Sequence, residues 1–269
     1  MFEILGLIPF LLILAALSTA IYLIFSKKEI GSQESPSKVI RRLYFYSVTL
    51  VGLLMTTGGT VQIIQFILEG IVSNNVIQQS PEKVASGVAL IVVGAPLWGF
   101  HWHLINRNVT KNITERASGI RMVFIYSILF LSLAVSTNAV YEILQTIFGY
   151  KDSAYYQIAV LIPSLGIWWF HWRINSRKEP SSYAGTLLKR MYLYSASGIG
   201  LILMATGAVG IINTLLQTSY DSATEVPLIL GPNGSEWVDT VKKPLSPLLT
   251  GLLIWSTHWL ILARTDSHN

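Results

Sequence analysis

The chain has 269 residues, of which 52% are hydrophobic and 12% charged, a balance too apolar for a soluble domain of this size to hide in one core. The net charge of +5 would suit a nucleic-acid partner only if the cations clustered on one soluble surface, and they do not. With no cysteine, disulfides, thiolate nucleophiles, iron–sulfur clusters and Cys-ligated zinc are all excluded.

The first apolar run, Phe2 to Phe25, carries one charge near its start, Glu3, and has neither a basic segment before it nor a small-residue cleavage pattern after it. It reads as a retained membrane helix over residues 1–26. Six further apolar runs follow at about 43–68, 84–105, 122–148, 155–175, 191–217 and 247–262. The expected fold is therefore an all-α integral membrane protein with seven spans.

The last six runs pair into hairpin units at 38–107, 117–177 and 186–264. The first helix of each pair opens with a basic residue followed by an aromatic cluster: Arg41-Arg42-Leu43-Tyr44-Phe45-Tyr46, Arg121-Met122-Val123-Phe124-Ile125-Tyr126 and Lys189-Arg190-Met191-Tyr192-Leu193-Tyr194. The second closes with Trp-x-x-His-Trp-x-x-x-x-Arg, at Trp98-His101-Trp102-Arg107, Trp168-His171-Trp172-Arg177 and Trp255-His258-Trp259-Arg264. One membrane unit used three times explains the pattern, with the first helix as a degenerate half unit.

Helices of one hairpin run in opposite directions, so the start of one lies beside the end of the other. Counting from the basic anchors at 1.5 Å per residue places Tyr46 and His101 at a common depth of roughly 7–9 Å, and likewise Tyr126 with His171 and Tyr194 with His258. Each pair is expected to meet across its hairpin. Small residues also face one another in register, Gly52 with Gly94, Ser132 with Ser164 and Gly200 with Gly251, which marks three crossing points where backbones approach closely.

Charge sets the orientation. With the N-terminus outside, 15 of the 19 cations fall on the inner side: Lys27, Lys28, Lys38, Arg41, Arg42, Arg107, Lys111, Arg116, Arg121, Arg173, Arg177, Lys178, Lys189, Arg190 and Arg264. Only Lys83, Lys151, Lys242 and Lys243 remain outside. The rule that cytoplasmic loops gather Lys and Arg then puts the loops at 26–42, 106–121 and 176–190 inside, in the cell's inner (plasma) membrane, with the C-terminus cytoplasmic. The longest outer loop, 218–246, is acidic and holds Asn233-Gly234 between apolar stretches, a hairpin signal, with Trp237 as a plausible partner anchor. Asn233-Gly234-Ser235 also matches a glycosylation sequon, but so do two sites on the inner side, so the match is uninformative.

Two readings compete for His101, His171 and His258. A neutral imidazole ligates haem or chlorophyll-type magnesium. The structural alternative makes Trp and His an interfacial belt, and a device that recurs in every unit favours structure over ligation. His103 lacks counterparts and is expected at the surface, and His268 belongs to a tail. Glu142 lies near the outer end of its helix, where a carboxylate is cheap, with Asn138, Gln145, Gln62 and Gln65 as candidates for a polar vestibule. No hydrolase triad, phosphate-binding glycine loop or metalloprotease helix is visible, which argues against an enzyme.

The helix start Arg42-Leu43-Tyr44-Phe45-Tyr46 followed by Trp98 to Trp102 resembles an uncharacterised family of bacterial multi-pass membrane domains, over residues 38 to 264. The second unit departs from that pattern with Val123 in place of the first tyrosine. The resemblance implies topology and no catalytic residues. Three functions stay open at this point: a non-catalytic accessory subunit of an energy-transducing or photosynthetic membrane complex, contacting the lipid bilayer and other subunits; a carrier of haem or chlorophyll-type pigment; and a small-solute or ion transporter. The transporter reading is weakened because the three units share one orientation and no broken helix pair is visible.

Overall fold

The structure, a computed structural model, describes residues 36–73, 81–175, 183–223 and 236–263. Among these residues every regular element is helical: α1 (Pro36–Ser73), α2 (Pro81–Lys111), α3 (Gly119–Ile147), α4 (Tyr155–Asn175), α5 (Tyr183–Ala223) and α6 (Glu236–Trp255), with one extra turn at Ile113–Arg116. Each apolar run from residue 43 to 217 lies in one of these helices to within a residue, and the last, 247–262, runs from α6 into the segment that follows it. The expected N-terminal helix at 1–26 lies outside the described residues, as do Arg177, Arg264 and His268.

Among the described residues four stretches are long and apolar enough to cross a membrane: Ser37–Ile71, Pro81–Lys111, Ile113–Ile147 and Tyr183–Tyr220. α4 falls short of that composition because three tryptophans, a histidine and two tyrosines stand among its aliphatic residues. Its 21 residues are nonetheless about 30 Å long, the thickness of the hydrocarbon core.

The helix ends follow local rules. Pro36 and Pro81 open α1 and α2, where the missing N–H would have no intrahelical partner. Glu82 in the first turn of α2 and Lys111 in its last suit the helix dipole. α3 stops at Gly149, whose φ of 85° is left-handed; Gly149 N donates to Thr146 O (3.0 Å) and Tyr150 N to Gln145 O (2.8 Å), which closes a Schellman turn. α6 contains Pro244 and Pro247 and passes into a π-helical segment, Ser256–Ala263.

The loop expected at 218–246 is helical at both flanks, since α5 continues to Ala223 and α6 begins at Glu236. Its apolar and Asn-Gly stretch lies outside the described residues. Trp237 falls in the first turn of α6, and its side chain is outside them too.

The chain divides into two compact units, one of residues 1–136 with 158–192 and the other of 137–157 with 193–269. In the first, Ile125, Tyr126, Leu129, Phe130, Leu188 and Tyr192 are fully buried. The α1/α2 hairpin crosses where the sequence puts its glycines: a Cβ on Gly52 would stand 2.5 Å from Trp98 N and 3.0 Å from Gly94 O. A second contact brings Gly59 against Gly87. Between α3 and α4 the small residues are serines, and Ser136 Oγ donates to Ser164 Oγ at 2.9 Å, both buried. Ser132, the residue expected opposite Ser164, turns instead to its own helix and donates to Ile128 O at 2.8 Å.

In the second unit the glycine contact recurs between α5 and α6. A Cβ on Gly200 would stand 2.7 Å from Trp255 N and 3.0 Å from Gly251 O. Hydroxyls along the helices are mostly spent locally: Thr49, Thr56, Thr57, Thr60, Thr214 and Thr250 each donate to the carbonyl four residues back.

Candidate functional site

The three signature histidines share one local geometry. Nδ1 of His101 faces Leu97 O at 2.8 Å, that of His171 faces Ile167 O at 2.9 Å and that of His258 faces Ile254 O at 2.9 Å. A carbonyl only accepts, so Nδ1 carries the hydrogen, and in the neutral ring the lone pair is then on Nε2. All three rings are buried.

Their surroundings differ. His101 lies against Tyr44 and Phe45 of α1, with ring centroids 6.0 and 6.1 Å away, whereas Tyr46 meets Phe124 of α3 at 4.8 Å. Tyr126 Oη accepts from Asn175 Nδ2 at 2.6 Å rather than from His171. His258 adds Thr257 Oγ1 at 3.2 Å, and the exposed Tyr194 has the Trp259 ring 6.3 Å away. His103 is exposed.

His171 has the densest setting. Its ring is 1% exposed, with Trp102 at 5.8 Å, Phe124 at 6.4 Å and Phe170 at 5.2 Å. Phe170 also touches Trp98 (6.2 Å) and Trp102 (5.9 Å). Four helices of the first unit thus build one aromatic cluster: Tyr46 from α1, Trp98 and Trp102 from α2, Phe124 from α3, Phe170 and His171 from α4. Within it, His171 Nε2 and Trp98 Nε1 are buried and have no hydrogen-bond partner among the described residues. Sequence reasoning singled out Trp98 in the signature but not its unpartnered nitrogen, because the depth of a residue along a helix can be counted and the satisfaction of its nitrogen cannot.

A second cluster centres on Tyr192. Its hydroxyl accepts from Trp168 Nε1 at 2.5 Å, and its ring meets Phe130 (5.1 Å), Trp172 (6.0 Å) and Tyr126 (6.1 Å). Trp168 and Trp172 stack at 5.9 Å with 8° between planes. The interhelical hydrogen bonds of Trp168 and Asn175 tie α4 to its neighbours in this unit.

Two ionic groups were incompletely legible. Arg42 is buried, and its Nε donates to Glu115 Oε2 at 2.7 Å while Arg41 approaches Oε1 at 3.5 Å, so a residue read as a topology anchor also clamps the start of α1 to the turn after α2. Glu115 stands out in sequence as the one acid between Lys111 and Arg121. In the second unit Glu142 is paired with Lys151 and accepts from Gln157 Nε2 at 3.2 Å, and Gln145 Nε2 is buried without a partner. Gln65 donates to Glu69 at 2.6 Å, and Glu69 faces Lys83 at 3.8 Å. Among the described residues no three His, Asp or Glu side chains gather as a metal site.

A family model described as a domain of unknown function (DUF5671) matches residues 42–154 and again 149–226, well over half the chain. The chain belongs to that family. The first DUF5671 match takes in α1, α2 and α3, and the second takes in α4 and α5. No curated protein and no solved structure matches.

Proposed function

We propose that this DUF5671 protein is a seven-span, N-out, C-in protein of the inner (plasma) membrane. It acts as a non-catalytic accessory subunit of a larger energy-transducing or photosynthetic complex. The observation that carries this reading is how the signature side chains are used: the histidines bond their own helices and the rings pack between helices, as a device for joining spans would. The same glycine geometry at Gly52 and Gly200 supports a repeated hairpin unit. The cation distribution supports the orientation.

The test is gentle solubilisation and isolation of the tagged chain. Stoichiometric membrane subunits should copurify, and a chain that isolates alone from every mild detergent would end the reading. The proposed partner contact at Trp237 is checked in the same preparation by deleting residues 226–238, which should release at least one subunit. For orientation, Asn112→Cys in this cysteine-free chain should react with a membrane-impermeant label only from the inner side, and labelling of intact cells would overturn the topology.

Pigment carriage is the second reading, and one observation favours it. A ligand histidine needs its second nitrogen held, and Nδ1 is held at His101, His171 and His258. An absorption spectrum of the isolated protein should then show a porphyrin-type band, and a colourless preparation would remove haem and chlorophyll alike.

A further inference from the structure

Two stretches meet at one end of the first unit, residues 36–42 at the start of α1 and 107–121 from the end of α2 into α3, and together they hold seven cations against one carboxylate, Glu115. The excess is six positive charges. Glu115 draws the stretches together, with Arg42 Nε at 2.7 Å and Arg41 Nη2 at 3.5 Å, and Arg121 Nη1 donates to Arg116 O at 3.2 Å. Arg42 and Arg121 are buried and so fasten the turn, whereas Lys38, Arg41, Arg107 and Lys111 are exposed. Lys38, Arg107 and Lys111 have no acidic partner among the described residues. The segment 26–35 adds no net charge, since Lys27 and Lys28 are matched by Glu29 and Glu34. Exposed apolar side chains stand among these cations: Ile40 is 66% exposed, Ile113 71%, and Leu43 and Tyr44 follow Arg41 in exposed positions.

We propose that this surface binds the headgroups of anionic phospholipids in the membrane that the helices cross. A lipid phosphate offers negative charge and acceptor oxygens, and a guanidinium can take two of those oxygens side by side. Arg41 is the best placed for it. Its side chain is more than half exposed and Glu115 approaches it only to 3.5 Å, while Arg42 is already committed to the same carboxylate at 2.7 Å. The apolar residues decide between two sources of the same chemistry. A free phosphate or soluble polyanion would leave Ile40, Leu43 and Ile113 in water, whereas a lipid lays acyl chain over them and brings its phosphate to the cations. Tyr44, with an apolar ring and a polar tip, suits that boundary. A zwitterionic headgroup carries its own cation, which a surplus of positive charge disfavours. The inference needs only that these helices span a membrane; it rests neither on the accessory role nor on which side this end faces.

The test uses the full chain in nonionic detergent, with a polarity-sensitive dye on Asn112→Cys, titrated with phosphatidylglycerol or phosphatidylcholine. Phosphatidylglycerol should shift the emission to the blue and saturate first, and a dye on Ser153→Cys, at the far end of α3, should not respond. Lys38→Gln, Arg41→Gln and Lys111→Gln should each weaken that response roughly fivefold, the share of one cation near an anionic surface. All three side chains are exposed, so the unfolding midpoint in neutral lipid should hold. Salt needs no variant: raising it should erase the preference of the natural protein, because exposed charges are screened. Equal responses to the two lipids, a preference indifferent to salt, or natural affinity in the triple variant would each overturn the proposal. So would tripolyphosphate or inorganic phosphate producing the same shift without lipid, since the occupant would then be a soluble anion.

Discussion

The α1/α2 hairpin and the α3/α4 pair solve the same packing problem with different small residues. At Gly52 and Gly94 the backbones themselves touch, and a Cβ on Gly94 would stand 2.7 Å from Met55 Cβ and 2.8 Å from Thr56 N. At Ser136 and Ser164 a hydroxyl pair joins the helices at 2.9 Å. Where lipid gives no hydrophobic drive between helices, close van der Waals contact and interhelical hydrogen bonding are the available means, and here each pair uses one of them. The difference predicts that the two will break differently.

The largest effect is expected at the glycines. Gly52→Val puts side-chain carbon against Trp98 N, a backbone atom that cannot rotate away, so the helices must separate. Overpacking typically costs about 1–3 kcal/mol and occasionally more, and a clash with backbone puts this site at the upper end. Gly200→Val, which meets Trp255 N at 2.7 Å, should cost a similar amount, read as a fall in the midpoint of thermal or SDS unfolding. If either substitution leaves the midpoint in place, backbone contact is not what holds that crossing.

Next comes the ion pair between the buried Arg42 and Glu115. Glu115→Gln keeps the shape but leaves the buried Arg42 with a neutral partner, at an expected cost of about 1–3 kcal/mol, since bonds to charged groups are the stronger ones. The partly exposed Arg41 contact adds little. Arg42→Gln on top of Glu115→Gln should recover part of the loss, because no uncompensated charge then remains. A double variant that is worse by the full sum of the singles would mean the two residues act independently.

The serine pair should be the milder crossing. Ser136→Ala and Ser164→Ala are each expected to cost about 0.6 kcal/mol, up to about 1.7, the range for interhelical hydrogen bonds in bilayers. In a double-mutant cycle the second substitution should add almost nothing. Additive losses would show that the hydroxyls do not depend on each other.

What could be read from sequence follows from what counting can reach. Helix positions came from apolar runs, and the depth of Gly52 against Gly94, or Gly200 against Gly251, from 1.5 Å per residue. Direction around the helix axis was less accessible. Ser164 meets Ser136, one turn beyond the Ser132 that the register selected, and the shared depth of Tyr46 with His101 leaves open which ring each one meets: Phe124 for the first, Tyr44 and Phe45 for the second. Such choices depend on how a third helix packs, which no single hairpin encodes. The pairing of Arg42 with Glu115 lies in a turn, where no periodicity exists to guide it. The unpartnered Trp98 and His171 nitrogens mark what is absent around an atom, and sequence holds no record of that.

The smallest effect gives the sharpest control. Gly58 and Gly59 are neighbours on α1, yet a Cβ on Gly58 would meet only Leu90 Cδ1 at 4.0 Å, an ordinary contact, whereas one on Gly59 would press on Gly87 O and stand 2.9 Å from Ile91 Cγ1. Gly58→Ala should therefore change stability by no more than about 0.5 kcal/mol, and in the favourable direction, since alanine gives up less backbone freedom in a helix. Gly59→Ala should destabilise, because a carbonyl oxygen of the facing helix cannot yield without moving its backbone. Helix propensity treats the two substitutions alike, so a difference between them isolates the crossing. If the two variants unfold together, the close approach of α1 and α2 at this level is not a stabilising contact, and the glycines there serve the chain in some way other than letting helices touch.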